Sequence, residues 1–118
     1  MPVRVLVIDD EPNIRELFED ALRRNGHQVV TCASGEEAVE RAREIGFTHA
    51  FVDIKMPGLN GVETLKLLRE INPGACFVMI TGYAGSEMVD ESLGNGAMLC
   101  LAKPFGVAQI LDLVEDGS

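Results

Sequence analysis

Residues 5–12 read VLVIDDEP, and this stretch decides the fold. Four apolar residues in an unbroken run are typical of a strand that is covered on both faces, as in a parallel sheet. Two aspartates follow the run, and Pro12 suits the first turn of a helix. The apolar residues after Pro12 recur at helical spacing. The stretch therefore predicts a buried strand that leads directly into an amphipathic helix.

The same strand-then-helix pattern occurs five times along the chain. The predicted strands are Val3–Ile8, Gln28–Cys32, His49–Val52, Cys76–Ile80 and Ala97–Leu101. Five such units are too few to close an eight-stranded barrel, so the sequence predicts an α/β fold, a (βα)5 doubly wound open parallel sheet. Because right-handed crossovers limit the topology, we expect the flavodoxin-like strand order 2-1-3-4-5.

Local signals mark several of the predicted helix ends. Ser34 with Glu37 predicts a capping box at the second helix, and Asn60 is a candidate cap for the third. The fourth helix is predicted from about Ala84 to Gly94. No linker or low-complexity tract interrupts the pattern, which indicates a single domain over residues 1–118.

Composition excludes several classes of function. The chain has 10 basic and 19 acidic residues, and its net charge of −9 disfavours direct binding to nucleic acid. No apolar run approaches the roughly 18 residues of a membrane span, and no signal-peptide pattern opens the chain. The three cysteines lack metal-binding spacing and predict buried side chains in a reducing compartment. We therefore expect a cytoplasmic protein with no membrane partner.

Polar residues follow four of the five predicted strands. They are Asp9, Asp10, Asp53, Thr81 and Lys103. The predicted strand order brings them to the sheet edge where ligands bind in open α/β folds. Neighbouring carboxylates repel one another and need a cation, and oxygen ligands with open positions suit Mg²⁺. A carboxylate beside Mg²⁺, a lysine and a hydroxyl can accept a phosphoryl group.

Four segments of the chain, taken in order, resemble the receiver domain of two-component response regulators, the CheY-like domain. They are VLVIDDEP at 5–12, DIKMPGLNG at 53–61, MITG at 79–82 and KPF at 103–105. The resemblance spans the whole chain. It implies a phosphoacceptor switch that promotes its own phosphorylation and dephosphorylation, and not an enzyme of ordinary turnover.

The resemblance also implies roles for individual residues. Asp53 is implied to be the phosphoacceptor. Asp10 is implied to ligate Mg²⁺ directly, Asp9 through water, and Lys55 through its main-chain carbonyl. Asp53 itself completes this metal site.

The remaining implied roles concern the phosphoryl group and its readout. Lys103 is implied to pair with the phosphoryl group, and its bond to Pro104 is implied to be cis. Thr81 is implied to swing toward the new phosphate and report it to the surface.

The resemblance implies partners as well. A histidine kinase or a histidine phosphotransfer protein would supply the phosphoryl group. The surface of helix 4, strand 5 and helix 5 would then change for a downstream protein target or a covalently linked output domain. Related domains also form homodimers through that surface. The chain ends just after the fifth predicted helix, so we expect either a free-standing receiver or part of a longer regulator.

Two positions depart from the family pattern. Cys100 stands three residues before Lys103, where the family usually carries the Tyr or Phe whose rotamer follows the threonine. The output then uses backbone shifts alone, or another side chain such as Tyr83 substitutes. Met98 and Leu99 stand where polar residues are common, and they either form a partner patch with Met88 and Val89 or enter the core.

Three alternative functions stay open at this point. A degenerate receiver would bind partners without phosphate, and Cys100 keeps this alternative alive. A phosphatase with Asp53 as nucleophile needs a second aspartate where this chain has Lys55. A nucleotide-binding domain needs a glycine-rich phosphate loop, which the sequence lacks. His27 and His49 are better explained by their local environments than as phosphohistidines.

Overall fold

The computed structural model of the chain describes residues 3–82 and 87–115. All strand pairings are parallel, and the sheet order is β2-β1-β3-β4-β5, which confirms the predicted topology. The strands are β1 Arg4–Ile8, β2 Gln28–Cys32, β3 His49–Asp53, β4 Cys76–Thr81 and β5 Leu99–Ala102. The helices are α1 Pro12–Arg24, α2 Gly35–Glu44, α3 Gly61–Ile71, α4 Glu87–Gly94 and α5 Val107–Glu115.

Strand β5 begins two residues later than the sequence predicts. The backbone N–H of Ala97 donates to the carbonyl of Ser92 and so closes the end of α4 instead of entering the sheet. The predicted fourth helix has its first residues, Ala84 to Ser86, outside the described ranges. The sequence predicts Ala97 as part of the strand because it begins an apolar run, and its side chain is indeed buried although its backbone lies outside the sheet.

The sheet separates two apolar layers of buried side chains. On one face, side chains such as Ile8, Val52 and Met79 pack with α2 and α3. On the other, Val7, Phe51 and Ile80 pack with α1 and α5. Burial on both faces explains the unbroken apolar runs in the sequence. None of the described helices has the length and hydropathy needed to cross a membrane.

Helix caps fix the loops that leave the sheet. Asn60 and Glu63 form a reciprocal capping box at the start of α3, as the sequence suggests for Asn60. The hydroxyl of Ser34 accepts a hydrogen bond from Glu37 N–H, but the Glu37 carboxylate accepts from Ala33 N–H and not from Ser34. The β3–α3 loop is therefore anchored at its helical end, directly beside the carboxyl edge of the sheet.

Candidate functional site

The carboxyl ends of the strands bring the predicted polar residues to one edge of the sheet. Asp53 is the last residue of β3 and Thr81 the last of β4, and both are buried. Asp9 directly follows β1, while Lys103 directly follows β5. The polar edge lines an open cleft of about 240 Å³, formed by Asp10, Glu11, Asp53, Ile54, Lys55, Thr81, Gly82 and Lys103.

Three carboxylates converge in this cleft. Asp9, Asp10 and Asp53 each offer an oxygen, and these oxygens all lie within 4.8 Å of one another. Asp9 is fully buried and Asp53 is 5% exposed, whereas Asp10 is exposed to solvent. The cleft is therefore open to solvent on the side of Asp10, where a ligand can reach the acids.

Backbone groups orient the two buried carboxylates. Asp9 Oδ1 accepts a hydrogen bond of 2.9 Å from Glu11 N–H, and Asp53 Oδ1 accepts one of 3.3 Å from Lys55 N–H. The guanidinium of Arg15 donates to the Asp9 carbonyl at 2.8 Å. These hydrogen bonds fix how the two carboxylates are oriented at the edge of the sheet.

Lys103 is the cation that faces the acids. Its Nζ lies 2.9 Å from Glu11 Oε1, 3.5 Å from Asp9 Oδ2 and 3.8 Å from Asp53 Oδ2. The Lys103–Pro104 peptide bond is cis, as the resemblance implies. Among the described residues, the four acids of the site, Asp9, Asp10, Glu11 and Asp53, outnumber the two lysines, Lys55 and Lys103, so the cleft has an excess of negative charge.

Burial and the neighbouring charges shift the pKa values of the residues in the site. Burial, followed by the charge of Asp9, raises the pKa of Asp53 to about 7. Burial likewise raises the pKa of Asp9. Burial lowers the pKa of Lys103, but the hydrogen bond that Lys103 donates to Glu11 and the charges of the neighbouring acids outweigh it, so the net pKa is raised.

The residues of the cleft fit a hard divalent cation. Asp9 Oδ2 is buried and makes no hydrogen bond among the described residues, although Lys103 approaches it to ion-pair distance. A buried carboxylate oxygen in that state is a group that a metal ion satisfies. The donors are all oxygens and one side is open, which suits Mg²⁺.

Removing the buried charge is expected to stabilise the metal-free protein. Because the pKa of Asp53 is about 7 in the folded state and near 3.8 otherwise, folding retains a proton between these values. Stability therefore falls as pH rises from 4 to 7. Asp53→Asn is expected to raise the free energy of unfolding by up to about 4 kcal/mol at pH 8 in chelator, and by little at pH 4.

Chemical denaturation at the two pH values measures this difference, with Asp20→Asn as a control for an exposed acid on α1. An Asp53→Asn variant that is equally or less stable than the parent at pH 8 would show that the carboxylate is not strained by its surroundings.

Two residues of the site were not identified from the sequence. Glu11 gives Lys103 its shortest ion pair, across 92 positions of sequence. Gly61 packs so closely on β3 that an added Cβ would overlap the Asp53 carbonyl oxygen and lie 2.5 Å from Ile54 Cα. The last glycine of the DIKMPGLNG segment, Gly61, was a usable signal for close packing of the α3 start on β3. Nothing in the sequence pairs Glu11 with Lys103.

The residues that depart from the family pattern have varied placements. Cys100 is half-buried and packs on the α2–α3 face of the sheet. Leu99 is half-buried and packs against the apolar layer on the opposite face, so it does not join Met88 and Val89 in one patch. Of the four residues considered for that patch, Met98 is the one that is well exposed. Tyr83 lies outside the described residues.

Both histidines lie at the other end of the sheet. His27 is buried, accepts from Val3 N–H through Nδ1 and contacts Glu115 through Nε2 at 2.9 Å. His49 opens β3, with its Nδ1 2.8 Å from the Thr48 hydroxyl. Neither belongs to the acidic cleft.

The fold and the site define a doubly wound α/β domain with an acidic pocket and a lysine at its switch point. The chain belongs to the response regulator receiver domain family, whose model matches residues 5–115. It is therefore a receiver domain of two-component response regulators.

Individual relatives are similar over most of this chain. It is 34% identical over 110 residues to a response regulator receiver protein of Anaeromyxobacter sp., covering 93% of this chain and 46% of that protein. It is 30% identical to sporulation initiation phosphotransferase F of Bacillus subtilis, covering 98% and 93%. A crystal structure of the CheX–CheY–BeF₃–Mg²⁺ complex of Borrelia burgdorferi has a TM-score of 0.89 at 27% identity, covering 99% of this chain and 90% of that one. The chain thus spans less than half of the first relative and nearly all of the second.

Proposed function

We propose that this chain is a phosphoacceptor switch in which Asp53 takes a phosphoryl group from a phosphohistidine. The donor is a histidine kinase or a histidine phosphotransfer protein. One observation carries the proposal: the Asp53 carboxylate lies in an open cleft, with Asp9 and Asp10 within 4.8 Å and the Lys103 ammonium at 3.8 Å. A nucleophile, a cation site and a fixed positive charge are thus combined at one point.

Asp53, Lys103 and Thr81 have separate roles in the phosphoryl transfer. A carboxylate oxygen of Asp53 attacks phosphorus, the phosphorus–nitrogen bond to the histidine breaks, and the donor imidazole leaves as a neutral ring after it takes a proton. Lys103 neutralises charge on the phosphoryl oxygens. Thr81 lines the same cleft and can donate its hydroxyl hydrogen to a phosphoryl oxygen.

Mg²⁺ would be held by Asp10 and Asp53 directly, by Asp9 through water and by the Lys55 carbonyl. When bound, it would neutralise charge on the transferring phosphoryl group. The unsatisfied oxygen of Asp9 and the all-oxygen donors support this assignment. The related CheY of Borrelia burgdorferi, whose structure includes BeF₃ and Mg²⁺, supports it as well.

The signal would leave through strand β5. Thr81 faces Ala102 in the sheet register, and the Thr81 carbonyl accepts a hydrogen bond of 2.8 Å from Lys103 N–H. Movement of either residue is thereby coupled to β5 and the neighbouring α4 and α5. Cys100 lacks the aromatic ring of the family relay, so either backbone shifts or another side chain such as Tyr83 would carry the change. A downstream protein or a linked output domain would bind the changed surface of α4, β5 and α5. A homodimer would form through the same surface.

The proposed activity is tested with a small phosphodonor. The protein is incubated with acetyl phosphate and Mg²⁺, and its intact mass and the released inorganic phosphate are followed together. The proposal expects one added phosphoryl group, lost with chelator, and slow release of phosphate. A phosphatase would release phosphate over many rapid turnovers, and a degenerate receiver would show no adduct. Either of those results would contradict the proposal.

Mg²⁺ binding is expected to depend on Asp10. Asp10→Asn removes a direct ligand. We expect it to weaken the affinity for Mg²⁺ by at least about tenfold, because the loss of a residue that only hydrogen-bonds to a metal ligand already has an effect of that size. Isothermal titration calorimetry at pH 8 measures this, with Asp20→Asn as the control for an exposed acid. Equal affinities in the two variants would remove Asp10 from the proposed metal site.

A further inference from the structure

Glu11 makes the closest contact to the lysine of the site. The 2.9 Å contact between Lys103 Nζ and Glu11 Oε1 is a hydrogen-bonded ion pair, whereas Asp53 Oδ2 is 3.8 Å from the same nitrogen. The ammonium that has to serve a phosphoryl group on Asp53 is therefore engaged by a carboxylate at the rim of the cleft.

The position of Glu11 in its helix leaves its side chain available for this contact. Glu11 is the N-cap residue of α1, a position that favours Ser, Thr, Asp or Asn, and its side chain makes no capping hydrogen bond. The side chain is 57% exposed, so it fills no space in the core. Its described polar contact is with Lys103, which points to a role at the site and not in folding.

We propose that Glu11 is a positioning residue that competes with the phosphoryl group for Lys103 and so slows phosphoryl uptake. This inference rests on the proposed function. When Asp53 attacks acetyl phosphate, the bond from phosphorus to the acetate oxygen breaks and acetate leaves. Anionic phosphoryl oxygens then lie on Asp53, and they compete with Glu11 for Lys103.

The size of the effect follows from the exposure of the pair. Exposed ion pairs contribute little, so loss of the Glu11 contact is expected to change the rate about twofold to fivefold and not by orders of magnitude. Removal of a negative charge near an anionic phosphodonor also raises the rate. The effect of losing the Glu11–Lys103 ion pair therefore has to be separated from the effect of losing the charge of Glu11.

Two variants separate them. Glu11→Gln removes the charge and weakens the pair. Glu11→Asp retains the charge, but its shorter carboxylate is suited to cap the first turn of α1 and is withdrawn from Lys103. Glu16→Gln removes an exposed charge from the same helix and is the matched control.

The rate of phosphorylation by acetyl phosphate at saturating Mg²⁺ is measured for the four proteins. We expect both Glu11 variants to be about twofold to fivefold faster than the parent and Glu16→Gln to be unchanged. The unfolding midpoints of Glu11→Gln and Glu16→Gln are expected to stay at the parent value, and that of Glu11→Asp to be equal or higher because aspartate caps the helix. A Glu11→Asp variant that behaves like the parent, or Glu11 variants that are unchanged or slower, would overturn the inference while the proposed function stands. A parent protein that takes no phosphoryl group would overturn both.

Discussion

Asp53→Asn is expected to reduce phosphoryl uptake below detection. The amide is nearly the same shape as the carboxylate but has no anionic oxygen to attack phosphorus. Because Asp53 is a buried charge whose removal relieves repulsion with Asp9, the variant is expected to be at least as stable as the parent. Loss of uptake then reports chemistry and not unfolding.

The measurement is intact mass after incubation with acetyl phosphate and Mg²⁺, at several times. Asp20→Asn, an exposed acid on α1, is the matched substitution and is expected to take up one phosphoryl group like the parent. A phosphoryl group that persists in Asp53→Asn would mean that another residue is the carrier.

Gly61→Ala is expected to have the largest effect on stability. The added Cβ would overlap the carbonyl oxygen of Asp53 and crowd Ile54, and both are backbone groups that cannot turn aside. Gly61 N–H also donates to the Ile54 carbonyl at 2.9 Å, which ties the start of α3 to the end of β3. We expect a loss of about 3 kcal/mol in the free energy of unfolding.

Urea denaturation measures this loss, and Gly46→Ala is the matched control because a Cβ there meets nothing within 4 Å. We expect the control to change stability by less than about 1 kcal/mol. If the Gly61→Ala variant is as stable as the Gly46→Ala variant, the loop can move away from the helix. The close approach would then not be what fixes Asp53.

The strand order and most of the cleft could be predicted from the sequence because both follow from local patterns. Apolar runs identify strands that are buried on both faces, and the residue after each run must lie at the same sheet edge. The register places Asp53 beside Ile80 and Thr81 beside Ala102, as that reasoning requires. The bounds of the strands were less accurate, since the apolar run assigned Ala97 and Met98 to β5, which begins at Leu99.

Side-chain pairings over long sequence distances could not be predicted in the same way. The contact between Glu11 and Lys103 depends on the lengths and rotamers of two flexible side chains. The face that Leu99 occupies depends on the register in which β5 pairs with β4, because a slip of one residue moves every side chain of the strand to the other side of the sheet. No sequence pattern indicates either the Glu11–Lys103 contact or the face of Leu99.

The most direct test of the account is to locate the phosphoryl group on the chain. The phosphorylated protein is reduced with borohydride, which converts an aspartyl phosphate to homoserine, and its peptides are then identified by mass spectrometry. The account predicts homoserine at position 53 in samples that contain Mg²⁺, and none in samples with chelator. Modification at Asp9, Asp10 or a histidine, with position 53 unchanged, would contradict it.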